Sequence, residues 1–456
     1  MTIRAARVCR SSLLLVGLSG VLGLFACTGR MGLFRSFRSV KPKKVGVVLP
    51  LTGNYQRVGE ALLEGIRLGL QGSDVTLDVK DSKGDPAEAE RMVEALASDG
   101  AIALLGGVAL PEAEAAARRA DAIGIPLVTF SKSENATSPG SYIFRNMVTV
   151  REQSEAVGRY ASCELGLKRF AWLGPDADYA RELEDGFKKG LAKGAEGIVR
   201  EERYPAGQTT FTAEAKRLTG RADPEKRPDY QLKEKEILAK EQDPFRRRKA
   251  LEKARSQLAP IVDYDGLFLA DGWQAVSLIA PALAVEDLVT EGCDRTALER
   301  LKKMLGRDDL KPVTLLGWGG WSSPSSSDGT PELLARAGRH LQCSVYADAF
   351  FAGSERKASR KFVVAYRGSH GGQTPQLLNA LGYDAAGMFR QIIERDGPSD
   401  SNRFRTALAD LTKYDGATGT LSFDGSRNVR RPLAILKLGP EGLVEQRVRE
   451  ACRPVL

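Results

Sequence analysis

The chain is 456 residues long, 42% hydrophobic and 27% charged; this excludes collagen-like, coiled-coil and wholly disordered chains and predicts two or three hydrophobic cores. The formal net charge is +9, but nine of the 67 Lys and Arg residues fall in residues 1–44, which hold no Asp or Glu. From residue 45 on, 58 basic residues face 58 acidic ones, so the charge gives no signature of a phosphate-binding face and no nucleic-acid partner is expected.

Arg4, Arg7 and Arg10 precede an apolar run from about Ser11 to Ala26 that carries Gly17, Gly20 and Gly23. A membrane span needs about 20 strongly apolar residues, so residues 1–26 read as an export signal. The run ends Leu24-Phe25-Ala26-Cys27, which resembles the lipobox of bacterial lipoproteins. That resemblance implies acylation of Cys27 and attachment to a membrane through the lipid. An ordinary cysteine behind a simply cleaved signal, or a weak membrane anchor, is the alternative. Residues 27–44 read as a flexible basic tether with six charges, each adding about 1 kcal/mol of attraction close to anionic headgroups. In Gram-negative lipoproteins an Asp after the acylated cysteine favours the inner membrane; Thr28 tilts the expectation towards a periplasm-facing outer-membrane lipoprotein of the cell envelope.

Apolar runs bounded by Gly or Pro follow at Val45–Leu49, Val75–Val79, Ala101–Leu105 and Ile125–Phe130, each suited to a strand buried on both faces of a parallel sheet. Between them Pro86–Ser98 has helical period, with Asp85 as cap and Ala89, Met92, Val93 and Leu96 on one face. A second series reads Phe170–Gly174, Ile198–Tyr204, Gly266–Ala270, Val313–Gly317 and Leu341–Tyr346, with a helix face of Tyr179, Leu183, Phe187 and Leu191. Repeated strand–helix–strand units predict two doubly wound α/β lobes. Neither lobe carries GxGxxG or a Walker loop, and no cofactor is expected.

Residues 221–260 break the rhythm, with 12 Lys or Arg and 8 Asp or Glu. A solvated helical excursion with i,i+4 ion pairs is the plain reading. The sharper one is a protruding arm whose Arg246, Arg247, Arg248 and Lys249 meet a partner or an anionic wall polymer. Besides Cys9 and Cys27 the chain has Cys163, Cys293, Cys343 and Cys452, which permit three pairings in an oxidising compartment. No CxxC occurs and His340 and His370 have no ligand-like spacing, so no metal site is expected.

Val45-Gly-Val-Val-Leu-Pro-Leu-Thr-Gly53 with Gly59 and Gly65, then Asp81 through Asp85-Pro86, Gly124-Ile-Pro-Leu-Val128, Phe144-Arg145-Asn146, Asp178-Tyr179, Tyr383-Asp384-Ala385 and Gly416-Ala-Thr-Gly419 stand in order along the chain. In that order they resemble the leucine-binding family of type I periplasmic binding proteins. The resemblance implies two lobes joined by three crossing segments that close on a ligand, with crossings near residues 147, 347 and 414. Lobe one would comprise 45–147 and 348–413; lobe two 148–347 and 414–456. Tyr264–Leu269, Gln274 and the Ala280-Pro281-Ala-Leu283 helix, with the charged stretch before them, resemble the penicillin-binding protein activator branch, whose members stimulate peptidoglycan synthases by contact.

In this family the loop after the third strand offers a serine to an amino acid's carboxylate, and lobe two offers an acid to its ammonium group. Here Leu110 stands at the serine's place and Gly319 at the acid's, with Asp271 the nearest substitute. An unpaired buried ammonium costs several kcal/mol, so a free α-amino acid is not the expected ligand. Ser131 and Ser133 keep hydroxyls at the rim, as ligand contacts or as plain loop caps. Tyr55, Tyr179, Trp273, Trp318 and Trp321 fall at predicted strand ends, as a stacking surface for a sugar, aromatic or peptidic ligand or as apolar closure between lobes. GxSxG is absent and neither histidine sits in a triad context, so catalysis is not expected. The leading expectation is a lipid-anchored solute-binding protein that serves an ABC permease or a sensor. A scaffold activating a peptidoglycan synthase is the alternative.

Overall fold

The structure, a computed structural model, describes residues 43–452 except 291, 293, 294, 307, 309, 325–329, 440 and 441. The expected signal, Cys27, most of the tether and Cys293 lie outside the described residues. Among those described, no helix is long and apolar enough to cross a membrane.

In the first lobe, strand β1 (Lys43–Leu49) leads to α1 (Gln56–Leu70), β2 (Val75–Asp81), α2 (Pro86–Ser98), β3 (Ala101–Gly106), α3 (Leu110–Ala122), β4 (Leu127–Thr129) and β5 (Ile143–Arg145). The five strands form a parallel sheet ordered β2-β1-β3-β4-β5. Helix α2 starts as its sequence dictates, with the Asp85 carboxylate accepting the Glu88 amide at 2.8 Å and Pro86 in the first turn. Helices α2 and α3 cover one face of the sheet with Ala89, Val93, Leu96, Ala116 and Ala120.

The second lobe runs through α4 (Val150–Arg159), β6 (Arg169–Pro175), α5 (Asp178–Gly190), β7 (Gly197–Tyr204), α6 (Thr212–Leu218), α7 (Pro228–Lys240), α8 (Pro244–Ser256), β8 (Gly266–Leu269), α9 (Trp273–Val285), α10 (Arg295–Leu305), β9 (Thr314–Trp318), α11 (Glu332–Ala337) and β10 (Val345–Asp348). Its core lies on both faces of the sheet. Trp172, Phe187 and Phe268 pack under α4 and α5, while Leu267, Leu269 and Leu315 pack under α6, α9 and α11. The expected strand Leu341–Tyr346 begins only at Val345, because Leu341–Ser344 turn, with Cys343 at a φ of 67°.

The chain then returns to the first lobe as α12 (Lys357–Ser369), α13 (Leu377–Asp396), α14 (Ser401–Ala409) and the hairpin strands β11 (Tyr414–Gly416), β12 (Gly419–Phe423) and β13 (Val429–Arg430). Helices α1 and α13 approach closely because glycines allow it. A Cβ on Gly65 would sit 2.0 Å from the Asn379 carbonyl oxygen, and one on Gly382 would sit 2.2 Å from that of Leu62. The expected crossing near 414 is displaced. Leu421 and Val429 point from β12 and β13 into the core of Phe144, Met388 and Phe389, and the Phe423 ring meets that of Phe144 edge-on at 5.1 Å. Burial of those alternate side chains holds 414–430 on lobe one, and the chain enters the second sheet only at β14 (Ala434–Gly439) and β15 (Gly442–Glu445). That sheet is ordered β15-β14-β10-β9-β8-β6-β7, with β14 antiparallel to β10 and β15 antiparallel to β14.

A fully buried polar network ties the crossing segments to lobe one. The Asp384 carboxylate of α13 accepts the amides of Ala417 (2.6 Å) and Thr418 (2.9 Å) and the Thr418 hydroxyl (2.5 Å). Arg431 donates to Thr418 Oγ1 at 2.7 Å and to the Asn146 side-chain oxygen. Burial pulls the Arg431 guanidinium down to about 10 and pushes Asp384 up, so each group's ionisation is sustained by the rest of the network. Cys163 and Cys452 form a disulfide across 289 residues within lobe two, and Cys343 is disulfide-bonded as well.

The charged stretch forms a helical hairpin, α7 and α8, with a small core of Tyr230, Ala254 and Leu258. Asp243 caps α8 by accepting the Arg246 amide at 2.8 Å. Arg221 closes the hairpin's base, donating to the Leu258 carbonyl at 2.8 Å and pairing with Glu286 at 3.3 Å.

Candidate functional site

The loops at the carboxyl ends of the parallel strands are where a doubly wound fold receives a ligand. On lobe one, Tyr55 is 45% exposed in the turn after β1 and Leu110 is 50% exposed at the first position of α3. The amides of this loop do not await an anion. Glu112, fully buried, turns its carboxylate back to accept the amides of Val108 (3.2 Å) and Ala109 (3.1 Å), while the buried Ser82 hydroxyl donates to its other oxygen. Burial raises the Glu112 carboxyl above its ordinary range and these three donors oppose the rise. The protein's own acid thus fills the positive end of α3.

Ser131 and Ser133 cap their own turn. Ser131 Oγ accepts the Ser133 amide and Ser133 Oγ accepts that of Asn135, both at 3.3 Å. Arg145, at the end of β5, donates to the Ser133 carbonyl at 2.9 Å and braces this loop. An ion pair at 3.0 Å from Arg151 of α4 to Glu134 links the loop to lobe two.

On lobe two the structure gathers Tyr179, Asp271 and Trp318 and adds Tyr204. Asp271 accepts the hydroxyls of Tyr179 (2.9 Å) and Tyr204 (2.8 Å), and its backbone carbonyl accepts the Trp318 indole N–H at 3.1 Å. Burial and the neighbouring carboxylate push both phenols far above their usual range, so they remain donors. Asp271 is therefore a junction of the lobe rather than a free acid awaiting an ammonium group. The Tyr179 and Trp318 rings stand 6.1 Å apart, and Trp273 stacks under the Arg336 guanidinium at 5.2 Å. Trp321 is almost wholly buried: it is 2% exposed, packs beside Tyr346 at 5.8 Å and donates its indole N–H to the Leu269 carbonyl. Its bulk fills the space that Gly317 leaves open.

A cavity of about 540 Å³ opens at the hinge end of the rim, between the β10–β14–β15 face and the 374–378 loop of lobe one. Asp348, the last residue of β10, lines it beside Gly319, Trp321 and Ser322. This carboxylate was not singled out from the sequence. It is 3% exposed, accepts the Ala349 amide at 2.6 Å and the Ser322 hydroxyl, and burial pushes it up to about 6. The available signal was an acid ending a four-residue strand that is otherwise apolar. Among the described residues no cluster of His, Cys, Asp and Glu could hold a metal ion.

Arg246, Arg248 and Lys249 lie on α8 around Phe245, which is 55% exposed; Arg248 stands 5.7 Å and Lys249 4.8 Å from its ring centre. Arg247 instead folds back to the Glu241 carbonyl at 3.0 Å.

Comparison with known proteins places this geometry. Residues 42–222 and 316–441 match the periplasmic binding protein family, leaving the charged hairpin, β8, α9 and α10 between the matched segments. A Leu/Ile/Val-binding protein homologue from Brucella melitensis is 24% identical over 183 residues, 37% of this chain and 49% of its own length. A Leu/Ile/Val-binding protein from Rhizobium johnstonii is 25% identical over 188 residues, 38% of this chain and 50% of its own length. The chain thus spans about half the length of the curated relatives it matches. Among solved structures, a protein described as a branched-chain amino acid ABC transporter from Rhodospirillum rubrum superposes with a TM-score of 0.66 at 20% identity, over 89% of this chain and 100% of that one. With two parallel-sheet lobes, three crossing segments and a family match over most of its length, the chain belongs to the periplasmic binding protein family and has the type I fold.

Proposed function

We propose that this protein is an extracytoplasmic solute-binding protein, tethered to the cell envelope through acylated Cys27, that closes its lobes on a small organic ligand other than a free α-amino acid. The ligand serves uptake through an ABC permease or sensing. Solved proteins of the same fold carry bound isoleucine or bound 3,4-dihydroxybenzoic acid, which supports an organic ligand without choosing its class. One observation carries the exclusion of amino acids. Glu112 takes the loop amides that a ligand carboxylate would need, while Asp271 is engaged by Tyr179 and Tyr204. The rim contacts in this reading are Tyr55, Ser133, Tyr179, Trp273 and Trp318. Calorimetry of the protein against sugars, dipeptides, aromatic acids, amines and the common amino acids tests it. Binding within the panel with no amino acid among the ligands is expected; tight binding of leucine overturns the exclusion, and silence across the panel overturns the solute-binding role. Mass spectrometry of the native protein beside Cys27→Ala tests the lipid anchor, and separation of inner from outer membranes tests the outer-membrane location of the tethered chain.

A second reading, contact with a peptidoglycan synthase, is favoured by the exposed Phe245 and its flanking cations on the hairpin. Removal of residues 228–256 is expected to abolish such contact; crosslinking to envelope partners that survives this deletion ends the reading.

A further inference from the structure

We infer that the tip of the α7–α8 hairpin docks on an anionic bilayer surface, with Leu238 and Phe245 entering the headgroup region and Arg246, Arg248 and Lys249 meeting lipid phosphates. The tether proposed above brings such a surface within reach, because Lys43 stands sixteen residues after Cys27, at most about 55 Å of extended chain. The docking chemistry itself belongs to the hairpin.

The hairpin has a closed base and an open tip. Near the base, Arg255 of α8 pairs with Glu225 at 2.7 Å and donates to the Tyr230 hydroxyl of α7 at 3.0 Å. Residues 241–243 join the two helices at the other end, about 20 Å away along the 13 residues of α7. There Leu238 is 45% exposed and Phe245 55% exposed. Residues 238–249 hold five Lys or Arg against two Asp or Glu, and Asp243 is already spent on the α8 cap. Among the described residues, the ion pairs of 223–256 gather at the base: Lys226 with Asp223, Arg227 with Asp229 and Arg255 with Glu225. None takes Lys240, Arg246, Arg248 or Lys249.

This arrangement does not serve the helix alone. The first turn of α8 holds no acid, and Arg246 occupies the third helical position, where an acid would favour the helix and a cation opposes its dipole. An external anion offsets that cost. Arg248 and Lys249 flank the Phe245 ring, so a ring entering the headgroup region carries both cations to the level of the phosphates. An anionic wall polymer would satisfy the cations but leave Leu238 and Phe245 in water. A bilayer surface accepts both kinds of group.

The test sediments residues 28–456, which hold every described core and lack the acylated cysteine, with vesicles of phosphatidylcholine alone or with about 30% phosphatidylglycerol. Wild type is compared with the triple variant Arg246→Gln, Arg248→Gln, Lys249→Gln, with Phe245→Ser, and with a control triple, Lys357→Gln, Arg360→Gln, Lys361→Gln, on the exposed side of α12. All four keep the basic tether, so its own attraction cancels, and melting curves establish that each variant folds. On the anionic vesicles the hairpin triple is expected to bind about tenfold or more weakly than wild type, Phe245→Ser about threefold more weakly, and the control within about twofold. The hairpin-dependent binding should fade as salt rises from about 0.1 to 0.5 M. A hairpin triple that binds like wild type, or a control that falls as far, overturns the inference. Envelope crosslinks lost in the hairpin triple while vesicle binding is unchanged also overturn it and assign the tip to an acidic protein partner. Absence of lipid on Cys27 removes the tether without moving the vesicle result, and loss of the docking leaves the solute-binding role standing.

Discussion

The two rims of this molecule each bury a carboxylate, and they set it in different surroundings. Glu112 on lobe one is met by two loop amides and a serine hydroxyl, so the helix end it caps is complete without a ligand. Asp348 on lobe two is likewise met by two backbone amides, of Ala349 and Phe350, and a serine hydroxyl, but it stands at the wall of the hinge-end cavity. The contrast teaches that the same kinds of donor can complete a helix end on one side and hold an acid at a cavity wall on the other.

The largest effect should come from what holds the two rims in place. Asp384→Ala strips the buried Arg431 of its opposing charge and leaves the Ala417 and Thr418 amides unpaired, so a loss of about 3–5 kcal/mol is expected by chemical denaturation. Next is the pH response of Asp348. Its carboxyl titrates near 6 in the folded chain against 3.8 when unperturbed, so the folded state holds the proton more tightly. Its contribution to stability is full below about pH 4 and is lost as pH rises through about 6, a swing of roughly 2–3 kcal/mol. Denaturation midpoints across pH 4–7 should show that fall in wild type and a flatter profile in Asp348→Asn; identical profiles would remove the distinction drawn between the two acids. Glu112→Ala, which orphans the Val108 and Ala109 amides, should cost about 2 kcal/mol. If carboxylates such as acetate then stabilise the variant but not wild type in thermal melts, the self-capping of lobe one is established. Smallest is Phe245→Ser on the hairpin surface, expected to change stability by less than about 0.5 kcal/mol, so that any loss of partner contact reads as an interface effect.

Much of the fold was legible because its central strands are buried, whereas β2 and β7 at the sheet edges are partly exposed. Val45–Leu49, Ala101–Leu105 and Phe170–Gly174 are apolar throughout and punctuated by Gly or Pro, and Asp85-Pro86 announces its helix. The short β5 was not legible, since three residues carry no periodicity. The third crossing misled because Gly416 to Gly419 reads as a hinge, whereas the alternation that holds β12 and β13 on lobe one, Leu421 and Val429, becomes meaningful only against Phe144 and Met388. At the site, Leu110 and Gly319 carry neither hydroxyl nor carboxylate, which is plain from their residue types. The two buried acids beside them were hidden for different reasons. Glu112 stands three residues after Ala109, where its carboxylate can reach back to the N-cap amide, but Ala109 lacks the hydroxyl that would have announced a capping box; Asp348 lies far along the chain from Gly319 and is brought beside it only by the pairing of β9 with β10.

The late return of the chain bears on how this protein is made. Lobe one borrows α13 and β12 from the final quarter of the sequence, with Asn379 reaching back to the Ala61 carbonyl at 3.0 Å. Lobe two has β14 paired along β10, as in Val345 with Lys437. While synthesis is under way, neither half can complete its core until α13, β12 and β14 have emerged. Maturation is thus close to a single late event for both halves together, and the nascent chain depends on being kept from aggregating throughout that wait.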